Sequence, residues 1–205
     1  MLVATREVIL EKLLLLPALI DAYQQGDVGF PARAVSWLQE LERSLAQLRS
    51  PLTSLASRQR ARIVAAQNGY REAPLNGGKL SRSKGIHVTA SQALGEVEAE
   101  LISQVLLIDQ KFDLWRDKLA QFISVASNSV PIPLPPSSPR QDWLKQIWQS
   151  WGTIDETRTM YSYLNTVMSL GDRLHLFGEL LENNMNGFGE PPAAVKKPAR
   201  KKPRG

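Results

Sequence analysis

The 205-residue sequence contains no cysteine. This absence excludes disulfide frameworks, thiolate zinc sites, iron–sulfur clusters and cysteine nucleophiles. Histidine is nearly as scarce, with two copies, and no Glu-x-x-His pair is present that could hold a metal inside a helical bundle. We therefore expect no metal and no other cofactor, and the fold must be stabilised by packing alone.

Long hydrophobic runs are lacking as well. The apolar stretch 13–20 is interrupted by Pro17 and flanked by Glu11 and Asp21. It is shorter than the roughly 20 residues that a membrane-spanning helix needs, and no basic leader accompanies it. The sequence therefore predicts no membrane contact and a cytoplasmic location.

No segment shows the convincing apolar–polar alternation of a β-strand. Instead, apolar residues recur at steps of four and three, the period of helices that pack in a bundle. Such series run over 34–55, 101–126 and 160–181. Together with a helical stretch over 5–24 and a short one near 141–151, they predict an all-α fold, an antiparallel helical bundle of four long helices plus one short helix.

Prolines and capping patterns suggest where these helices bend or begin. Pro17 and Pro51 each lie inside a predicted long helix and should kink it or end it. A Thr-x-x-Gln pattern at Thr89 and a Thr-x-x-Glu pattern at Thr153 resemble capping boxes. We therefore expect the third long helix to begin at Thr89 and the last one at Thr153.

The predicted organisation is a single domain followed by a tail. The helical bundle covers 1–189, with a basic loop over 67–88 and a proline-rich linker over 128–139. Residues 190–205 combine lysine, arginine and proline without any large aromatic or leucine side chain. Such a segment cannot bury enough apolar surface to fold, so we expect a disordered tail.

The positive charge is concentrated in two blocks. Residues 49–84 contain eight basic residues and one acidic residue, and residues 190–205 contain six and one. The rest of the chain has eleven basic and eighteen acidic residues. Two basic blocks on an acidic scaffold indicate a surface that contacts a polyanion, and nucleic acid, DNA or RNA, is the favoured ligand.

The predicted phosphate contacts are the cations of these two blocks. Loop glycines next to Lys79 would allow backbone N–H groups to approach an anion, but the P-loop pattern is absent because Ala73 and Leu80 replace its glycine and hydroxyl residues. No small-molecule substrate is evident. The candidate nucleic-acid-binding residues are Arg58, Arg60, Arg62, Lys79, Arg82, Lys84, Lys196, Lys197, Arg200, Lys201, Lys202 and Arg204.

One short motif suggests an enzymatic alternative. Arg82 and His87 are separated by four residues, and this spacing resembles the Arg-x4-6-His signature of HEPN ribonucleases. The resemblance covers six residues and implies a metal-independent ribonuclease. In such an enzyme the histidine would transfer protons and the arginine would stabilise the phosphate under attack.

Five tryptophans complete the set of notable residues, and three of them lie in 143–151. They fit either core packing or an interface with a partner. The favoured hypothesis is a non-enzymatic accessory protein that binds nucleic acid nonspecifically and associates with itself or a protein partner. The ribonuclease is one alternative, and a purely structural subunit of a larger assembly is another.

Overall fold

The structure is a computed structural model that describes residues 1–70, 81–133 and 140–187. Within these ranges the chain forms eight α-helices and no β-strand, which confirms the predicted all-α fold. The helices are α1 (Leu2–Leu13), α2 (Leu16–Gln24), α3 (Phe30–Gln47), α4 (Thr53–Gln67), α5 (Arg82–Ser129), α6 (Arg140–Trp151), α7 (Arg158–Val167) and α8 (Leu170–Gly187). Three of the four long helices expected from the sequence are each divided in two.

The first division is at Pro17, as the sequence predicts. Pro17 lies in the first turn of α2, where its missing N–H leaves no intrahelical bond unmade. The backbone N–H of Leu15 bonds to the carbonyl of Lys12 and closes the short turn after α1. The proline therefore starts a new helix instead of kinking one.

The second division lies at Pro51, where the sequence predicts a kink and the structure has a turn that reverses the direction of the chain between α3 and α4. Arg49 has φ of 53° and lies in the turn between α3 and α4. The Ser50 carbonyl accepts bonds from both the backbone N–H and the hydroxyl of Thr53, which orders the first turn of α4. The two helices consequently run antiparallel and form the most extensive helix pair of the described chain.

The expected starts of two helices were wrong. The Thr153 hydroxyl donates to the Ser150 carbonyl instead of capping a helix, and α7 begins only at Arg158. α7 and α8 are then separated at Met168, whose backbone is extended. The Ser169 hydroxyl oxygen accepts the backbone N–H of Asp172 and thereby caps α8.

α5 begins earlier than predicted, at Arg82 instead of Thr89. Ser81 provides the cap, since its side-chain oxygen accepts the backbone N–H of Lys84 at 3.3 Å. Thr89 lies inside the helix and donates its hydroxyl to the Gly85 carbonyl. The predicted basic loop 67–88 is therefore corrected, because 82–88 are helical, and the predicted linker 128–139 overlaps the last two residues of α5.

The sequence predicts one domain over 1–189, whereas the structure divides the chain into two compact units, Met1–Asp113 and the residues from Leu114 onwards. The boundary lies within α5. A helix of 48 residues is about 70 Å long, which exceeds what one small core can cover.

The first unit buries one face of the α3–α4 pair against α1, α2 and the first part of α5. Phe30, Leu38, Leu41, Leu45 and Ile63 are fully buried there. Each such side chain contributes about 1.5–3 kcal/mol relative to an exposed position. The heptad positions read from the sequence thus form the core.

The second unit has an aromatic core. The ring centroid of Phe122 on α5 lies 4.8 Å from that of Trp148 on α6, and Phe177 of α8 packs edge-on against Trp148 and Trp151. Trp143, Trp148 and Trp151 are at least nine-tenths buried. The tryptophan-rich segment is therefore a packing element of this unit.

Candidate nucleic-acid interface

Of the three arginines of α4, Arg58 and Arg62 are four residues apart and lie on one face of the helix. Arg60 is two residues from each of them and points to the opposite side, since residues two apart on a helix are separated by about 200°. Arg60 donates to Glu42 of α3 at 2.9 Å, and Arg62 donates to Glu96 of α5 at 2.7 Å. The hydrogen bond from Arg60 lowers the pKa of the Glu42 carboxyl below its usual value. Two of the three predicted phosphate ligands are therefore already paired with carboxylates of the same unit.

Arg58 differs from its two neighbours. It is exposed and forms no ion pair within 1–70, 81–133 and 140–187. It lines a surface groove between α4 and α5, which we call the α4–α5 groove. The groove has a volume of about 220 Å³ and is lined by Arg58, Ala61, Arg62, Ala65, Ala66, Tyr70 and Thr89.

The groove exists because α4 has small residues along the stripe that contains Arg58. Ala61 and Ala65 follow Arg58 at steps of three and four, and Ala66 follows Arg62 at a step of four, so these alanines lie on the side of the helix that carries the two arginines. Short side chains on this stripe leave room beside the backbone of α4.

Tyr70 is a site residue that the sequence reasoning missed. Its side chain follows the last turn of α4 and is 72% exposed, which is unusual for a large aromatic residue. In the sequence, Tyr70 could have been noticed as a tyrosine within the basic block 49–84 that directly follows a glycine, Gly69. In the structure, Gly69 has a φ of 94° and turns the chain after α4. Tyr70 therefore adds an exposed aromatic ring to the lining of the α4–α5 groove.

The first turn of α5 lies close to the end of α4. The Arg82 guanidinium donates to the carbonyl of Gln67, the last residue of α4, at 2.8 Å. This bond satisfies a carbonyl at the negative end of the α4 dipole. Arg82 and Lys84 also place two cations, and no acidic residue, in the first turn of α5. That turn is therefore a site of positive potential, since cations add to the positive end of the helix dipole.

The side chains of Arg82 and His87 do not converge on one site. Both residues lie on α5, and five residues along a helix correspond to a separation of about 140°. The two ring nitrogens of His87 are each 3.0 Å from a carbonyl oxygen, one of Ser83 and one of Asp27. Both nitrogens are thus occupied within the chain, while Arg82 contacts the end of α4.

The remaining predicted contacts cannot be placed on this surface. Lys79 and the six tail cations, Lys196, Lys197, Arg200, Lys201, Lys202 and Arg204, lie outside the described residues. In the described ranges, no group of three or more histidine or acidic side chains could hold a metal ion. No helix described here is long and apolar enough to cross a membrane.

Comparison with protein-family models, with curated proteins and with solved structures finds no match to this chain.

Proposed function

We propose that this protein is an accessory protein that binds single-stranded nucleic acid through the α4–α5 groove and associates with a protein partner. The observation that supports the binding proposal best is the pairing of exposed Arg58 with exposed Tyr70 in one groove. Arginine can neutralise a phosphate while an aromatic ring stacks on a base of any identity. The chemistry fits binding without sequence preference.

The location of the groove adds to this proposal. It lies next to the junction of α4 and α5, where Arg82 and Lys84 occupy the positive end of a helix. A strand that stacks on Tyr70 would extend its neighbouring phosphates along this basic surface. The tail cations of 190–205 would add affinity through further counterion release, without specificity.

The arrangement of Arg82 and His87 does not favour the ribonuclease alternative, because the two side chains contact different parts of the chain. We propose binding without cleavage. Labelled RNA incubated with the purified protein should therefore remain intact, and its half-life should be the same with His87→Ala.

A pair of tyrosine variants tests the binding proposal. Base stacking contributes about 1–3 kcal/mol per base, so Tyr70→Ala should weaken binding of a single-stranded oligonucleotide by about 5- to 150-fold. Tyr163 is a matched control, because it is also an exposed tyrosine, at 50%, but lies on α7 in the second unit. Tyr163→Ala should bind with the affinity of the unaltered protein.

Fluorescence anisotropy of a labelled oligonucleotide measures these affinities. DNA and RNA strands of one sequence, tested side by side, show which of the two is bound more tightly. Equal affinities of Tyr70→Ala and Tyr163→Ala would exclude the α4–α5 groove as the stacking site. Absence of any binding at low salt would exclude the nucleic-acid function itself.

A further inference from the structure

The first unit contains a second groove, between α2 and the first half of α5, which we call the α2–α5 groove. Its volume is about 300 Å³, enough for a large apolar side chain. The α2 side supplies Leu16, Ile20 and Tyr23, and the α5 side supplies Leu94 and Gly95. The walls are thus mostly apolar, although the groove is open to solvent.

Gly95 is the most informative residue of this groove. A Cβ atom at this position would have no neighbouring heavy atom within 4 Å. Glycine inside a helix costs about 1 kcal/mol relative to alanine, and nothing within the described chain requires the missing side chain here. At Gly178, by contrast, a Cβ would meet Leu144 at 3.1 Å. The space above Gly95 is therefore open, and no described side chain fills it.

The apolar surface continues from the groove along α5. Gly95, Ile102 and Leu106 are separated by seven and four residues, so they lie on one stripe of the helix. Ile102 and Leu106 are 44% and 57% exposed, and Ile20 on the opposite wall is 39% exposed. A stripe of this length matches the apolar face of an amphipathic helix better than a small molecule.

The charge on both walls has one sign. α2 contains one charged residue, Asp21, and the segment 86–106 of α5 contains Glu96, Glu98 and Glu100 without any lysine or arginine. Arg62 neutralises Glu96, whereas Glu98 lines the groove itself. A partner with complementary charge would therefore carry positively charged side chains beside its apolar face.

We propose that the α2–α5 groove binds a basic amphipathic helix of a protein partner, which places a bulky apolar side chain over Gly95. Helix-in-groove binding uses apolar anchors at steps of three and four, and glycine permits close approach of the partner backbone. This inference deepens the partner-association part of the proposed function and rests on it. It uses a different surface from the α4–α5 groove.

The test is a substitution that fills the α2–α5 groove with a side chain of the protein itself. Gly95→Leu places a side chain into the open space, and Gly85→Leu is the matched control, since a Cβ at Gly85 also has no neighbour within 4 Å and Gly85 does not line the groove. Both substitutions replace a helical glycine by a strong helix former, so both variants should fold. Thermal unfolding followed by circular dichroism verifies this.

The probe is a synthetic amphipathic helix of leucine and lysine with one central tryptophan, labelled for anisotropy. The unaltered protein and Gly85→Leu should bind it equally, and Gly95→Leu should bind at least about tenfold more weakly because the anchor site is filled. Glu98→Lys, at a half-buried position of the groove wall, should also weaken binding of the lysine peptide. A second peptide with glutamate in place of lysine should not bind.

Equal affinity of Gly95→Leu and Gly85→Leu for the lysine peptide would overturn the inference, as would equal binding of the glutamate peptide. Oligonucleotide affinity is measured on the same samples. Gly95→Leu should retain it, because the α4–α5 groove is unchanged. A protein that binds the oligonucleotide but not the lysine peptide overturns the groove inference alone, and the reverse result contradicts only the nucleic-acid proposal.

Discussion

Gly152→Ala should destabilise the second unit, although the substitution adds a single methyl group. A Cβ at Gly152 would lie 2.5–2.6 Å from three ring carbons of Tyr161, whereas ordinary contacts are 3.4–4 Å. The ring would have to move by about 1 Å to relieve this overlap. Tyr161 stacks on Trp148 with centroids 5.2 Å apart, and Trp148 packs against Phe122 and Phe177, so the displacement disturbs the aromatic core.

Overpacking of this kind typically costs about 1–3 kcal/mol, and we expect about 2 kcal/mol for Gly152→Ala. For a chain of this size the corresponding decrease in melting temperature is about 4–8 °C. Gly95→Ala is the control, because its Cβ meets nothing within 4 Å. This variant should be stabilised by about 0.5–1 kcal/mol, the difference between alanine and glycine inside a helix.

Urea unfolding followed by far-ultraviolet circular dichroism gives both free energies, and near-ultraviolet circular dichroism reports the packing of Trp148 against Tyr161. The free energy of unfolding should be lower than that of the unaltered protein for Gly152→Ala and higher for Gly95→Ala. If Gly152→Ala were as stable as the unaltered protein, with an unchanged near-ultraviolet spectrum, Tyr161 would not lie over residue 152 and the described core would be wrong there.

Two further predictions concern charged residues. The hydrogen bond from Arg60 lowers the pKa of the Glu42 carboxyl from its usual 4.5, so the ionised form stabilises the fold above pH 4.5, and this contribution is lost as the pH falls through the folded pKa. Urea unfolding of Glu42→Gln should show a loss of about 0.2–1 kcal/mol at pH 7 that shrinks as the pH falls below 4.5, and a pH-independent difference would refute the pair. Arg173 is 7% exposed, and this burial lowers the pKa of its guanidinium. The guanidinium lies 4.9 Å from the centre of the Trp148 ring, and its Nε and Nη1 have no hydrogen-bond partner among the described residues. Arg173→Met should therefore raise the free energy of unfolding by about 1 kcal/mol, whereas a loss of more than about 2 kcal/mol would show that the guanidinium stabilises the fold.

Much of the fold could be predicted from the sequence, because local patterns determine it. The steps of four and three identify the buried stripes, and Leu38, Leu41 and Leu45 are fully buried as those steps require. Helix boundaries were less predictable. Thr89 matches a capping pattern, but Ser81 caps the helix eight residues earlier, since several hydroxyl residues compete for this role.

The candidate site could be predicted only in part. The basic block 49–84 identifies the region, but the sequence does not show which arginines are paired. Arg60 meets Glu42 across the α3–α4 turn, and Arg62 meets Glu96 on a helix 34 residues away. Such pairs depend on tertiary packing and not on local spacing. Arg58 is distinguished from its neighbours by this packing alone.

The central claim is that exposed Arg58, and not ion-paired Arg60, contacts phosphate. The most direct measurement is the dependence of oligonucleotide affinity on KCl concentration for Arg58→Gln and Arg60→Gln. Each phosphate contact to a single strand contributes about 0.7 to the slope of log K against log salt. Arg58→Gln should lower the slope by about this amount. Arg60→Gln should leave the slope unchanged. Equal slopes for the two variants would contradict the account.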